Sequence, residues 1–391
     1  MTFSHLGALM ILSGFLLIST LFLAYANGAN DNFKGVATLY GSYSLDYRSA
    51  LLLGTTATFL GGLTSMLVAT GLIKMFSGAG VVPAEIAALP TFLAAISAAT
   101  AATIILATVL GLPVSTTHGL TGAIIGAGLV FVGPHLNLAL LGKSFALPLI
   151  VSPVVAVGLT MLVYGGLHEV SRRTGLKRET CVCLDGVRLT PVSVLQPVLA
   201  GAEGFATAYS VDTGKLITVA SADQCVEKYG GQILGLRVQQ VTDAAHIASG
   251  AAVSFARGLN DTPKMLALLL AAKVLDIRFG AVAIVVAMAI GGLLNARKVA
   301  QTMGRGISRM NDGQALSANL VTAFLVIVAS RLGMPVSTTQ VSVGAIAGIG
   351  LLNGSANRKM ISGILASWLM TLPIAAVLGA VMAMTLRAIA S

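Results

Sequence analysis

Two short motifs decide the fold, because each occurs twice in the chain and in the same order. The sequence GANDNFK at residues 28–34 corresponds to GLNDTPK at residues 258–264. The sequence PVSTTH at residues 113–118 corresponds to PVSTTQ at residues 335–340. Chance is a poor explanation for two motifs that recur in one order over comparable separations. The chain therefore contains an internal duplication.

Composition places this duplication in a membrane. The 391 residues are 56% hydrophobic and only 10% charged, and the mean hydropathy is +0.90. A water-soluble domain carries roughly 25% charged residues. Apolar segments that cross about 30 Å of hydrocarbon explain such a composition, and the many small residues suit closely packed transmembrane helices. We expect an all-α integral membrane protein in the lipid bilayer.

The apolar segments are arranged as five before a polar stretch and five after it. Their approximate ranges are 5–30, 49–73, 90–111, 115–132 and 144–167, followed by 241–272, 279–296, 316–333, 337–352 and 360–388. One or two of them could be re-entrant rather than spanning. We expect repeat 1 at residues 1–169, an insert at 170–240 and repeat 2 at 241–391.

An odd number of segments in each half predicts that the two halves have opposite orientations. Basic residues in membrane proteins concentrate in cytoplasmic loops. With the amino terminus outside, the cytoplasmic loops contain Arg48, Arg172, Arg173, Lys177, Arg178, Arg297, Lys298, Arg305, Arg309, Arg358 and Lys359. The basic residues behind the net charge of +10 thus lie mainly in short loops and indicate no nucleic-acid partner. We expect inverted-topology repeats in the cell membrane, with both termini outside and the insert in the cytoplasm.

The insert has a different character. Alternating runs at residues 215–219 and 232–238 are typical of strands, so we expect a small, partly β cytoplasmic domain. The cysteines Cys181, Cys183 and Cys225 all lie in it. Free cysteines are favoured over a zinc site, for which no fourth ligand is evident.

The first candidate site consists of Asn30, Asp31, Asn260 and Asp261. A carboxylate inside an apolar segment is expensive and is usually functional. Beside amide and carbonyl oxygens, Asp31 and Asp261 could bind Na⁺ or accept a coupling proton, and the flanking glycines would let each helix break there. Helix capping at a membrane boundary is the alternative, and the duplication argues against it.

The second candidate site consists of hydroxyl residues that follow a proline in each half. Such a helix start combines free backbone N–H groups, hydroxyl donors and the positive end of the helix dipole, which together suit an anion. The alternative is that the hydroxyls only cap their helices. The residues are Ser115, Thr116, Thr117, Ser337, Thr338 and Thr339.

Three further residues are candidates: Gln340, His118 and Arg257. Gln340 could donate to and accept from a substrate oxygen, and His118 could do the same, titrate, or be a plain hydrogen-bonded histidine. Arg257 could pair with the substrate or a carboxylate, or it could extend to the membrane surface. No phosphate-binding loop, dinucleotide motif or nucleophile elbow occurs, which argues against an enzyme or an ATP-driven pump.

These paired motifs resemble the inorganic phosphate transporter (PiT) family, over nearly the whole chain except the insert. The resemblance implies phosphate transport with Na⁺ or H⁺, cation sites near the Asn-Asp motifs and an anion at the Ser-Thr-Thr triplets. It also implies a homodimer. No cofactor is expected other than Na⁺ as a possible coupling ion.

The chain departs from the family pattern at Lys34 and Lys264, where the family usually has asparagine. A lysine three residues after an aspartate can lie on the same helix face. Its ammonium group could replace a bound Na⁺ and make coupling proton-linked or weaker. The alternatives are that both lysines extend to an interface or help to retain a dianion.

The sequence therefore predicts a secondary phosphate transporter that works by alternating access around a central site. A permease for sulfate or another oxyanion on the same scaffold is the nearest alternative. A passive anion channel, or a sensor without transport, is the alternative from a different class.

Overall fold

The computed structural model describes residues 3–78, 80–173, 183–185, 188–193, 207–212, 216–218, 232–233, 236–305, 307 and 310–390. The chain forms two compact units. One consists of residues 1–165 and 243–391, and the other of residues 166–242. The predicted boundaries at 169/170 and 240/241 stay a prediction.

Helices account for most of the larger unit. Those of the first half are α1 (Phe3–Asp31), α2 (Ala37–Gly41), α3 (Tyr47–Val68), α4 (Thr70–Phe76), α5 (Ala84–Ala87), α6 (Pro90–Val109), α7 (Thr116–Val132), α8 (Leu138–Leu141) and α9 (Leu147–Arg173). Those of the second half are α10 (Val238–Ala271), α11 (Ile277–Asn295), α12 (Arg297–Arg305), α13 (Asp312–Arg331), α14 (Thr338–Asn353) and α15 (Arg358–Ala390). Short 3₁₀ turns cover Lys34–Val36 and Gly133–His135, and a π turn covers Gly142–Ala146.

The helices are those of a multi-pass membrane protein. Within the part of the chain that the structure describes, eight helical segments are long and apolar enough to cross a bilayer. Two predicted segments are not among the eight. α10 contains charged residues in its middle, and α14 has only 16 residues. Many large apolar side chains point outwards, such as Leu67 (84% exposed) and Leu369 (77%), as a lipid-facing surface requires.

Each half contains a helical hairpin whose turn lies against other helices of the larger unit. α6 and α7 are joined through residues 110–115, and α13 and α14 through residues 332–337. Gly111 and Gly333 lie at corresponding places in these turns, with φ angles of 72° and 68°. Glycine adopts this left-handed conformation without a steric penalty. The predicted helix starts after each proline are confirmed, because α7 begins at Thr116 and α14 at Thr338.

The duplication extends to burial. Residues 23–62 and 253–292 have the same class of side-chain exposure at every position, with an offset of 230. The two segments cover the end of α1 with most of α3, and the middle of α10 with most of α11. Corresponding side chains are therefore buried to a similar degree in the two halves.

One predicted feature differs between the halves. α1 ends at Asp31, and a 3₁₀ turn separates it from α2, as expected for a broken helix. α10 instead continues past Asp261 through Pro263, so the expectation of a broken helix there is wrong. Pro263 has no N–H, and its fixed φ suits a helix, so one hydrogen bond is lost while the helical path continues.

Among the described residues between α9 and α10, six short strands occur. They are β1 (Cys183–Asp185), β2 (Arg188–Ser193), β3 (Thr207–Asp212), β4 (Leu216–Thr218), β5 (Gln232–Ile233) and β6 (Leu236–Arg237). Antiparallel pairs join β1 to β4, β2 to β3 and β5 to β6. Cys181 and Cys225 lie outside the described residues, as does much of 170–240. The partly β insert therefore stays a prediction.

Candidate transport site

Five charged side chains are buried together where α1, α10 and the two hairpin turns meet. Within the described residues, the buried Asp, Lys and Arg side chains are Asp31, Lys34, Arg257, Asp261 and Lys264, each no more than 3% exposed. An unpaired charge is very costly in such a place. The alternative that Arg257 and the lysines extend to the membrane surface is therefore wrong, and their partners become the question.

The ammonium group of Lys34 is held by oxygen atoms from three different elements. It forms a salt bridge with the Asp31 carboxylate one turn earlier. It also donates to the carbonyl oxygen of Val114 at 2.6 Å and to Oγ1 of Thr339 at 2.7 Å. Lys34 thus joins its own aspartate and its own hairpin turn to the hairpin of the other half.

Lys264 repeats this arrangement in the second half. Its Nζ lies 2.9 Å from Oδ1 of Asp261, 3.1 Å from the carbonyl oxygen of Val336 and 2.8 Å from Oγ1 of Thr117. The three oxygens are again a carboxylate, the valine carbonyl of the same half and a threonine hydroxyl of the other half. The two lysine sites are therefore equivalent.

The two threonines also join the hairpin turns directly. The hydroxyl of Thr117 donates to the carbonyl oxygen of Val336 at 3.1 Å, and that of Thr339 donates to the carbonyl oxygen of Val114 at 2.9 Å. Each PVSTT motif thus contacts the other one. The site is a single centre to which both halves contribute.

In the first half, the remaining oxygen of Asp31 is already bonded. Oδ2 accepts from Nδ2 of Asn27 at 3.2 Å and from the hydroxyl of Thr116 at 3.4 Å. Asn27 also donates to Thr116 at 2.8 Å. The carboxylate of Asp31 is therefore satisfied on both sides.

In the second half, Arg257 stands at the position of Asn27. Its Nη2 donates to Oδ1 of Asn32 at 2.9 Å and to Oγ1 of Thr58 at 3.1 Å, which fixes the guanidinium. Its Nη1 lies 3.9 Å from Oδ2 of Asp261. Nε and Nη1 of Arg257 and Oδ2 of Asp261 are all buried, and none has a hydrogen-bond partner among the described residues.

Asn30 and Asn260 hold the hairpin turns in place. Asn30 donates to the carbonyl oxygen of Leu112 at 2.9 Å and to the hydroxyl of Thr108 at 3.0 Å, and its Oδ1 accepts from the N–H of Val114 at 3.2 Å. Asn260 donates to Oδ1 of Asp261 at 3.2 Å and more weakly to the turn. In this structure both amides position the turns, and Asn260 also positions Asp261.

The first residues of α7 and α14 have several roles. Ser115 and Ser337 accept hydrogen bonds from the N–H groups of His118 and Gln340, both at 3.2 Å, and so cap their helices. Nε2 of His118 lies 3.5 Å from Nε2 of Gln340, across the contact between the halves. Thr338 is 5% exposed at the start of α14. All eight predicted substrate-binding residues therefore lie at these two helix starts.

Sequence reasoning missed several residues that support the turn of the first hairpin. Lys298 donates to the carbonyl oxygen of Val109 at 2.8 Å, Thr302 to that of Gly111 at 2.9 Å, and Trp368 to that of Pro113 at 3.2 Å. None belongs to a repeated motif. Asn27 was also missed, although the offset of 230 aligns it with Arg257.

A second buried polar network also had no signal in the sequence. Nδ1 of His246 lies 3.1 Å from Oδ1 of Asp312, and Ser44 donates to the same oxygen at 2.6 Å. Thr38 lies 3.4 Å from Nε2 of His246 and donates to Asn319 at 3.0 Å. This network joins α2, α10 and α13.

An open pocket of about 670 Å³ lies beside the first hairpin. Thr108 lines it, and this is the hydroxyl that accepts from Asn30. Two basic residues, Arg297 and Lys298, line the same pocket. The pocket therefore reaches a residue that contacts the centre and has a basic wall.

The charges of the centre do not cancel. Three basic and two acidic side chains leave one positive charge when all are ionised. Each lysine is paired with its own aspartate, so the surplus charge belongs to Arg257. Buried N–H donors with a surplus positive charge suit an anion.

Fold and site together define a multi-pass membrane protein with a buried, positively charged centre between two related halves. The sequence matches the phosphate transporter family over residues 27–379. The chain belongs to this family, which confirms the resemblance noted from the motifs. Its members are transporters, which fits the expectation that this chain is not an enzyme.

Similar proteins have corresponding descriptions. A putative phosphate permease of Pyrococcus furiosus is 28% identical, over 96% of this chain and 97% of that protein. The chloroplastic inorganic phosphate transporter 2-1 of Arabidopsis thaliana is 26% identical, over 95% of this chain and 71% of that protein. A solved structure titled "The sodium-dependent phosphate transporter" is similar over 97% of this chain and all of its own, with a TM-score of 0.74 and 22% identity. At that identity it shows the shared fold.

Proposed function

We propose that this chain is a secondary active transporter that carries inorganic phosphate across the membrane with a coupled cation. The observation that carries the proposal is the surplus positive charge of the buried centre, beside two helix starts from different halves. Alternating access then moves one half against the other around the bound anion. Thr117 and Thr339, which join the halves, would exchange partners during this movement.

Two inverted repeats are part of the proposal. The identical burial of residues 23–62 and 253–292 supports the duplication, and the odd number of segments per half supports the inversion. The two hairpins would be re-entrant, both termini would lie outside, and the partly β insert would lie in the cytoplasm. A homodimer is proposed from the family resemblance alone.

The lysines bear on the coupling ion. Each Nζ is surrounded by a carboxylate, a carbonyl and a hydroxyl oxygen, the kinds of oxygen ligand that suit a hard metal cation. We infer that Lys34 and Lys264 are tethered cations at places where Na⁺ would otherwise bind beside Asp31 and Asp261. Coupling would then use a proton instead of Na⁺.

The experiment is uptake of radiolabelled phosphate into proteoliposomes that contain the purified protein, with an imposed H⁺ or Na⁺ gradient. We expect accumulation against the phosphate gradient when H⁺ flows inward, and no further stimulation by Na⁺. Equilibration without accumulation would indicate a passive channel. Phosphate binding without flux would indicate a sensor, and either result would contradict the proposal.

A further inference from the structure

The two aspartates of the centre differ at one oxygen atom. Oδ2 of Asp31 accepts two hydrogen bonds, from Asn27 and Thr116. Oδ2 of Asp261 is equally buried and accepts none from the described residues. Asp261 is 1% exposed, so this oxygen does not lie at the protein surface. A buried acceptor without a partner is costly, and its presence here points to a ligand.

The donors beside this oxygen are also unfilled. Nη1 of Arg257 lies 3.9 Å from Oδ2 of Asp261, and neither Nη1 nor Nε has a partner among the described residues. Arg257 is 1% exposed, and its Nη2 is fixed by Asn32 and Thr58. Among the described residues, one edge of the centre, formed by Arg257 and Asp261, thus has unpaired N–H donors next to an unpaired carboxylate oxygen.

This combination separates tetrahedral oxyanions by their protonation. At neutral pH phosphate keeps at least one proton, so it accepts hydrogen bonds through some oxygens and donates one through its O–H. Sulfate has no proton at this pH and can only accept. Against Oδ2 of Asp261, sulfate would place an anionic oxygen beside a carboxylate oxygen, which is repulsive in a buried site.

We propose that Arg257 and Asp261 form the edge that selects a protonated oxyanion, with Arg257 binding the charge and Oδ2 of Asp261 accepting the O–H. The proposal rests on the proposed function and names the basis of its substrate selectivity. Hydrogen phosphate and arsenate are accepted, while sulfate and selenate are rejected. Sites built to bond a substrate O–H discriminate against analogues without it by factors on the order of 10⁴.

The first test is competition in the proteoliposome assay at pH 7 with the unmodified protein. Unlabelled arsenate is expected to inhibit phosphate uptake at concentrations close to those of phosphate itself. Sulfate and selenate are expected to need concentrations at least about 1000-fold higher. Sulfate that competes as well as arsenate, or that accumulates itself, would overturn this inference and leave an oxyanion transporter standing. No phosphate uptake at all would instead overturn the proposed function.

The second test uses the duplication as its own control. Asp261→Asn alone would leave the ammonium of Lys264 buried without its carboxylate, so the variant is D261N/K264N. Asn260 donates to Oδ1 at position 261, which leaves the new amide N–H at the position of Oδ2, where sulfate can accept from it. The matched variant is D31N/K34N, which removes the equivalent pair from the half without Arg257.

Both double variants are expected to transport more slowly, but only one changes selectivity. In D261N/K264N the preference for phosphate over sulfate is expected to fall by roughly 100-fold, while D31N/K34N keeps the original preference. If uptake is too slow to measure, stabilisation of the detergent-solubilised variant by phosphate and by sulfate gives the same ratio. Equal changes in both variants, or none in D261N/K264N, would overturn the inference.

Discussion

The two halves of the transport site share the contacts of their lysines and differ at the residue beside each aspartate. Lys34 and Lys264 each bond an aspartate, a valine carbonyl and the threonine of the opposite half. The halves diverge where Asn27 corresponds to Arg257. Asn27 donates hydrogen bonds to Asp31 and Thr116, whereas Nε and Nη1 of Arg257 have no hydrogen-bond partner among the described residues.

We interpret this difference as a distinction between residues that support the architecture and residues that recognise the substrate. Features that occur in both halves join the hairpins and balance the charges of the lysines and aspartates. The feature that occurs once provides the surplus charge and the free donors. We therefore expect variants of repeated residues to slow transport alike in pairs, with selectivity changing only beside Arg257, and variants of Arg257 to have no counterpart in the first half.

The largest effect is expected for Arg257→Gln. The change removes the surplus positive charge, and loss of a buried charged partner costs about 2–5 kcal/mol. Initial phosphate uptake should fall on the order of 100-fold, since 1.4 kcal/mol corresponds to a factor of ten. Asn27→Gln is the control in the first half and should lose less than tenfold. A variant of Arg257 that is folded and retains most uptake would refute the role of this edge.

The next largest effect is expected for the two threonines that join the halves. Thr117→Val and Thr339→Val each remove a hydrogen bond to a buried ammonium group and one to a carbonyl of the opposite turn. A hydrogen bond to a charged group contributes about 1.5–3 kcal/mol, so each variant should lose uptake by roughly tenfold or more. Thr121→Val is the control, because among the described residues its hydroxyl bonds to the Thr117 carbonyl of its own helix.

An equal loss of uptake in Thr117→Val and Thr339→Val is the decisive result. If Thr117→Val reduced uptake strongly while Thr339→Val did not, the halves would not be equivalent at this position. The contacts that Thr117 and Thr339 share would then have different roles in the two halves, whatever the result for Arg257.

A smaller effect, on stability, is expected where corresponding glycines pack against helix backbones. A Cβ at Gly28 would overlap the carbonyl oxygen of Met288, and one at Gly258 would overlap that of Thr58. Overpacking costs typically about 1–3 kcal/mol, so Gly28→Ala and Gly258→Ala should lower the melting temperature in detergent by similar amounts. Gly14→Ala, which meets nothing within 4 Å, should not lower it. Unequal effects of the first two would contradict equivalent packing.

The smallest effect is expected at the helix N-caps Asp46 and Asp276, which correspond through the offset of 230. A hydrogen bond from the Ser49 hydroxyl, with others from the N–H groups of Arg48 and Ser49, lowers the pKa of Asp46. The cap therefore stabilises the protein at neutral pH and is lost as pH falls through this lowered pKa. Asp46→Ala should have a slightly lower melting temperature than the unmodified protein at pH 7, and this difference should disappear in acid. A difference that persists in acid would contradict this origin.

Much of the fold could be predicted from the sequence because the signals are repeated. The apolar segments, the duplicated motifs and the starts of α7 and α14 follow from local composition and proline placement. The continuous path of α10 could not, because Pro263 is compatible both with a break and with a helix.

The residues of the site could be predicted from the sequence, but their hydrogen-bond partners could not. The eight helix-start residues and the two Lys-Asp pairs are in the motifs, so their proximity is plausible from the sequence. Each lysine bonds the threonine of the other half, and Oδ2 of Asp261 has no hydrogen-bond partner among the described residues. Both features depend on how hairpins that are distant in the sequence pack together. No spacing rule gives such contacts, and the roles of Lys298, Thr302 and Trp368 are hidden for the same reason.

In the proposed mechanism, Lys34 and Lys264 occupy the places where coupling cations would bind, and the Na⁺ response of phosphate uptake tests this proposal. Uptake by the unmodified protein and by the Lys34→Asn/Lys264→Asn variant is measured under an inward Na⁺ gradient at fixed pH, with an inward K⁺ gradient as the control. We expect no Na⁺ stimulation of the unmodified protein and a gain of Na⁺-dependent uptake in the variant. Na⁺ stimulation of the unmodified protein, or a folded variant that binds phosphate and gains no response to Na⁺, would contradict it.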